Sequence, residues 1–353
     1  MTPHHPFRKL AFFVHTAEMF NHYQPVWRLL GADGFDIVLH GNDKDRAESR
    51  SLADRLGYRC HDFTAVIQAG YQYDVLVSNH NMIRFEKRLL NQLLAHRQVR
   101  FMYALGKGRH NFSEWNQDYD LILCYGPWQA EQLRACSDAV IFQMGYPRYD
   151  DYFRFPERQN ERPADLSLDP GKETVLWLPT WQELSSISRF ADSMSTLCDR
   201  YNVIVKTHPL SVNAEPETLA ILQQYAFTAV ITHVYDNLNL FRCADYVVSD
   251  YGGTAFGAIY LDKKLLLLNV PDADQDSLTG EASPDVLLRQ DIVNLDMDAR
   301  WQLPEVLADE AIWSAQTATR ERLRRRHFAP TYGFSAELAT LALQHIDTLL
   351  KQG

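Results

Sequence analysis

Short apolar runs alternate with longer amphipathic segments along most of the chain. In the first part the runs are Leu10–His15, Asp36–His40, Asp74–Ser78, Val99–Tyr103, Asp120–Tyr125 and Ala139–Met144. Helix-length segments lie between most of them: Phe20–Leu30, Lys44–Leu56, Phe85–Leu94 and Pro127–Ala135. Apolar strands separated by helices predict a parallel sheet covered on both faces. The stretch Phe153–Lys172 is rich in Pro, Arg, Asp and Glu, and predicts a linker. A second series follows, with strands at Thr174–Leu178, Asn202–Lys206, Ala229–Thr232, Asp245–Ser249 and Lys264–Asn269. Its predicted helices are Ile187–Asp199, Glu215–Tyr225, Leu238–Cys243 and Thr254–Leu261. Ser335–Lys351 predicts a closing amphipathic helix that crosses back onto the first domain. The pattern is α/β: two Rossmann-like domains over residues 1–152 and 173–333, a linker over 153–172 and a C-terminal helix over 334–353. Two such halves place a cleft between them, and ligands of open parallel sheets bind beyond the carboxyl ends of the strands.

The length of 353 residues fits two domains at roughly 100–200 residues each. Lys plus Arg number 35 against 45 Asp plus Glu, a net charge of −10, which argues against a general nucleic-acid binder. The five cysteines, Cys60, Cys124, Cys136, Cys198 and Cys243, form no C-x-x-C pair. They read as reduced thiols in a cytoplasmic protein, not as a disulfide framework or a zinc site. The polar N-terminus and the short apolar runs predict neither a signal peptide nor a membrane span. The run Arg320, Arg322, Arg324, Arg325, Arg326, His327 reads as a solvated face. In an acidic protein it can also dock peripherally on anionic lipid at the inner face of a membrane.

The loops after the strands hold the candidate chemistry. Asp250-Tyr251-Gly252-Gly253-Thr254 precedes a helix, where free N–H groups and the helix dipole favour an anion. The loop lacks the spacing of a Walker or dinucleotide motif. A tight strand-to-helix turn is its bland alternative. Lys206 and His208 lie two apart and share a face of an extended strand, placed to bind a diphosphate or protonate a leaving phosphate. Pro179-Thr180-Trp181-Gln182 offers a hydroxyl, an indole and an amide. Gly145-Tyr146-Pro147-Arg148 can aim Arg148 at an anion, or pin the hinge through Asp150 or Asp151. Gly106-Lys107-Gly108-Arg109-His110-Asn111 joins backbone freedom to three basic side chains and suits an anionic substrate. His15 with Glu18, and the nearby Asn21-His22, place an imidazole and a carboxylate after the first strand as a possible general base.

In order, four of these motifs resemble the CDP-glycerol glycerophosphotransferase family, which builds teichoic-acid-like polymers. They are G-Y-P-R-Y-D at Gly145–Asp150, L-P-T-W at Leu178–Trp181, K-T-H-P at Lys206–Pro209 and A-D-Y-V-V-S-D-Y at Ala244–Tyr251. The tail Phe334–Leu343 is similar too. The resemblance implies a GT-B fold and a metal-independent transferase without a cofactor. It implies a donor site in the C-terminal domain, with His208 on the donor phosphates, Gly253 and Thr254 at a helix start, and Pro179 and Thr180 near the nucleotide. Two positions depart from the family. Its usual His-Gly pair is replaced by Leu105-Gly106, and its Ser-Ser after D-Y by Gly252-Gly253.

The expected function is transfer of a glycerol phosphate, another polyol phosphate or a sugar from a CDP- or UDP-linked donor to a polysaccharide or lipid-linked acceptor. The expected catalytic residues are His15, His110 and His208. The expected donor contacts are Pro179, Thr180, Lys206, His208, Asp250, Gly252, Gly253 and Thr254. The expected acceptor contacts are Glu18, Lys107, Arg109 and Arg148. A nucleotide-sugar 2-epimerase or hydrolase of the same fold, and a non-catalytic nucleotide- or glycan-binding module, remain as alternatives.

Overall fold

The apolar runs become strands because both faces of each are covered: all residues of Thr174–Leu178 and of Asn202–Lys206 are buried. The computed structural model describes residues 7–79, 84–85, 88–208 and 215–352. Contacts divide the chain into two units. One comprises Met1–Tyr103, Phe112–Asp151 and His327–Gly353, and the other Ala104–Asn111 and Tyr152–Arg326. The segment 104–111 therefore groups with the second unit, although it lies inside the stretch expected to form the first domain.

The first unit contains β1 (Leu10–Val14), β2 (Asp36–Leu39), β3 (Cys60–Asp62), β4 (Tyr73–Ser78), β5 (Ala95–Phe101), β6 (Leu121–Cys124) and β7 (Val140–Gln143). They form a parallel sheet in the order β3-β2-β1-β4-β5-β6-β7. The second unit contains β8 (Thr174–Leu178), β9 (Asn202–Lys206), β10 (Ala229–Ile231), β11 (Tyr246–Ser249), β12 (Lys264–Leu268) and β13 (Asn294–Leu295). Their order is β10-β9-β8-β11-β12-β13, again parallel. Both are the Rossmann order, whose direction reverses beside the first strand. In the second unit that switch point lies between β8 and β11, so the loops starting at Pro179 and Asp250 flank it.

Three expectations need correction. Phe85–Leu94 is not one helix: Arg84–Phe85 and Arg88–Leu89 pair as an antiparallel ribbon, and only Leu90–Leu94 is helical. Gln98 Nε2 donates to the carbonyls of Asn91 and Ala95, which ends the helix and lets β5 begin at Ala95. The C-terminal helix breaks at His345 into Ser335–Gln344 and Ile346–Gln352. The arginine run lies within an unforeseen helix, Glu310–His327, and is largely spent on ion pairs. Arg320 is buried and pairs with Asp262, Arg322 pairs with Asp291, and Arg325 with Glu321. Among the described residues no helix is long and apolar enough to cross a membrane.

In the first unit, Asp150 of the G-Y-P-R-Y-D motif accepts the backbone N–H groups of Ser335 and Ala336. These are orphan donors of a helix start, so the carboxylate caps the closing helix. The Tyr146 N–H, donating to Ser335 Oγ at 3.0 Å, ties the same junction.

Candidate functional site

The second unit's site is organised by Asp250, which is fully buried at the end of β11. Its Oδ1 accepts the N–H groups of Thr180 and Tyr251, each at 2.8 Å. Its Oδ2 accepts the N–H and O–H of Ser186, each at 2.8 Å. Ser186 Oγ in turn accepts from Trp177 Nε1 at 3.1 Å, so a polarised chain runs from the β8 core to the carboxylate. Burial pushes the Asp250 carboxyl up to about 6, against these hydrogen bonds, which pull it down. Expected as a donor contact, Asp250 instead spends both oxygens on joining the loops after β8 and β11.

Arg289 supports the loop after β11, and no sequence motif marks it. It donates to Asn269 Oδ1 and to the carbonyls of Asp285, Asp250 and Leu268. Its guanidinium stacks 3.6 Å above the Tyr251 ring. Ser186 was likewise missed as a partner. A lone Ser carries no signal until its neighbours are known.

The glycine pair after Tyr251 answers to backbone conformation at 252 and to the segment 104–111 at 253. Gly252 has φ +121°, a region side chains disfavour. A Cβ on Gly106 would lie 2.9 Å from Gly252 Cα, and one on Gly253 would lie 3.3 Å from Ala104 Cβ. Thr254 starts the following helix, and its hydroxyl shares a hydrogen bond with Ser249 Oγ at 2.9 Å.

The basic groups converge on Trp181. The His208 ring stacks with it, with centroids 5.7 Å apart and an interplanar angle of 15°. Lys107 Nζ lies 5.1 Å from the same indole. Lys206 is buried at the end of β9. Burial first, then the charges of Lys107 and Lys206, push the His208 imidazole down to about 3, so it is neutral at pH 7. Pro179 and Thr180 are buried beside this group. Pro209, the last residue of the K-T-H-P match, lies outside the described residues.

Lys107 and Arg109, expected on the acceptor side, thus belong to the second unit together with His110. The His110 and Arg109 N–H groups donate to the carbonyls of Leu278 and Thr279, and Arg109 Nη1 donates to the Asp276 carbonyl.

In the first unit, Glu18 and Arg148 meet: Arg148 Nη2 lies 3.0 Å from Glu18 Oε1. Arg148 Nη1 donates to His22 Nε2 at 3.1 Å, since burial and the Arg148 charge keep that imidazole neutral. Asn21 Nδ2 holds the second Glu18 oxygen at 3.0 Å. His15 follows β1, and burial, then His40, push it down to about 4. That makes it a weak proton acceptor near neutrality.

The two Rossmann-order units are those of the GT-B fold. The wall teichoic acid polymerase TagF, in a structure soaked with CDPG, matches with a TM-score of 0.66 at 15% identity, covering 98% of this chain and 89% of that one. S. aureus MnaA, in its structure with UDP, matches with a TM-score of 0.63 at 11% identity over 97% of both chains. Acinetobacter baumannii MurG matches with a TM-score of 0.51 at 11% identity, over 98% of this chain and all of that one. At these identities the likeness is one of fold. No curated protein matches in sequence. Residues 107–276, just under half the chain, match the family model described as CDP-Glycerol:Poly(glycerophosphate) glycerophosphotransferase. The resemblance carried by the four motifs is thereby met, and the match favours a transferase over the epimerase and binding-module readings.

Proposed function

We propose that the protein transfers glycerol phosphate, or a closely related polyol phosphate, from a CDP-linked donor to a teichoic-acid-like acceptor at the cytoplasmic side of a membrane. The acceptor hydroxyl oxygen attacks the phosphorus that bears the polyol. The bond from that phosphorus to the nucleotide breaks, and CMP leaves. Lys206, His208 and the N–H groups of Gly253 and Thr254 carry the charge of the donor phosphates, without a metal ion. Pro179, Thr180 and Gly252 shape the loops beside the nucleotide. Glu18, Arg109 and Arg148 are assigned to the acceptor. The acceptor proton goes to His110 in preference to His15, whose burial leaves it a weak base. The observation that carries this reading is the stacking of His208 on Trp181, with the Lys206 charge on the same imidazole, at the carboxyl ends of β8 and β9 and within the residues that match the family.

The reading predicts that CDP raises the melting temperature without magnesium. A ligand at a hundred times its Kd stabilises by about 2.7 kcal/mol. A shift with UDP and none with CDP would redirect the donor to a sugar nucleotide. The absence of a shift with either would contradict the proposal.

A further inference from the structure

The cation that reaches Trp181 from the segment 104–111 has a use that the transferase reading does not assign. The segment is fixed by its backbone. The Gly108 N–H donates to Ser283 Oγ at 2.7 Å, and Asn111 Nδ2 donates to the Gly106 carbonyl at 2.6 Å. Ser283 Oγ donates to Asp285, whose other oxygen accepts the Lys107 N–H at 3.4 Å. Lys107 itself has φ +57°, the left-handed region that non-glycine residues occupy only where the surroundings impose it. That backbone aims the side chain at the Trp181 ring.

The energetics of the ammonium are unusual. Lysines are seldom buried unless paired. Among the described residues Lys107 forms no salt bridge with a carboxylate. Asp285, Asp276 and Asp250 act on it only through their fields, and burial outweighs them. Its field and that of Lys206 both fall on His208. An ammonium held half-buried on a strained backbone, beside an imidazole that also feels the charge of Lys206, lowers its free energy by taking up a multiply charged anion.

We propose that Lys107 is a phosphate ligand of the donor site, contacting the diphosphate of the nucleotide donor rather than the acceptor. The identity of the nucleotide rests on the transferase reading; the diphosphate site does not. Leu105-Gly106 serves this role by letting the segment lie against Gly252, which a side chain at 106 would prevent.

Calorimetric titration with inorganic pyrophosphate tests the site independently of any nucleotide. Lys107→Ala is expected to weaken pyrophosphate binding roughly 10–100-fold, the loss of one charge-assisted hydrogen bond. Lys107→Arg should restore most of it. Binding should also become less salt-dependent in Lys107→Ala, with the melting temperature little changed. Pyrophosphate binding by the wild type that Lys107→Ala leaves unaltered would overturn the proposal. So would the absence of pyrophosphate binding by the wild type, or an equal loss in Lys107→Arg accompanied by a lowered melting temperature. If pyrophosphate binds through Lys107 while CDP does not bind, the anion site stands and the nucleotide reading alone fails.

Discussion

Asp250→Ala is expected to destabilise the protein by about 3–5 kcal/mol, read as a shift in denaturant midpoint, and to weaken donor binding with it. The carboxylate accepts four hydrogen bonds, three from backbone N–H groups that have no other acceptor in its place once it is gone. An unsatisfied buried donor costs about 1–3 kcal/mol. Asp250→Asn separates charge from shape. Its amide leaves about one N–H without an acceptor, but burying it costs less than burying a charge, so a loss nearer 1–2 kcal/mol is expected. The sign of the pH effect follows from the raised carboxyl, about 6 in the folded protein against about 3.9 unfolded. Between those values the folded state holds a proton that the unfolded state has released. The Asp250 contribution therefore falls as pH rises from about 4 to about 6, then levels off. Asp250→Asn should abolish that component. An Asp250→Ala variant as stable as wild type would refute the structural role.

His208→Ala is expected to lower the rate of transfer roughly 10²–10³-fold, the usual loss when one group that stabilises developing charge is removed. In the free protein the ring is neutral, because burial and two lysines oppose a further positive charge. A bound diphosphate reverses that balance, so donor binding should take up a proton near neutral pH, visible as a buffer-dependent heat of binding. The same depressed value sets the stability profile. Above about 6.5 both folded and unfolded states hold the ring neutral; below it the unfolded state gains a proton the folded state refuses until about 3. Wild type therefore loses stability as pH falls through this window, and His208→Ala should lose less. Unchanged transfer in His208→Ala would remove the imidazole from the mechanism.

The sheets were legible in the sequence because parallel strands are buried on both faces and read as unbroken apolar runs. Thr174–Leu178 and Asn202–Lys206 fall on their predicted limits. β3 was not legible: Cys60–Asp62 has three residues, two of them polar, and is only half-buried. The helix Glu310–His327 hid for a different reason. Its buried positions Trp313, Gln316, Arg320, Leu323 and His327 have helical spacing, but three are polar. Gln316 bonds both the N–H and the carbonyl of Leu265 at the sheet, and Arg320 is neutralised by Asp262, so polar side chains do the work of apolar ones there.

The candidate site was legible where polar groups sit at a strand end, as for His208, Lys206 and the Gly252-Gly253 turn. It was not legible where position depends on the other end of the chain. Lys107 follows a strand of the first unit, yet packs with the second because Ser283 and Leu278, some 170 residues on, receive its neighbours' backbone groups. Asp250 reads as a free carboxylate in the sequence. Only the fold brings Thr180 and Ser186 to saturate it.

The most direct test of the central claim is CMP release from CDP-glycerol, with transfer of glycerol phosphate to a lipid-linked teichoic-acid acceptor followed in parallel. The account predicts acceptor-dependent CMP release that matches the glycerol phosphate incorporated and is lost in His208→Ala. CMP release that is independent of acceptor and unaffected by His208→Ala, with no glycerol phosphate incorporated, would contradict it.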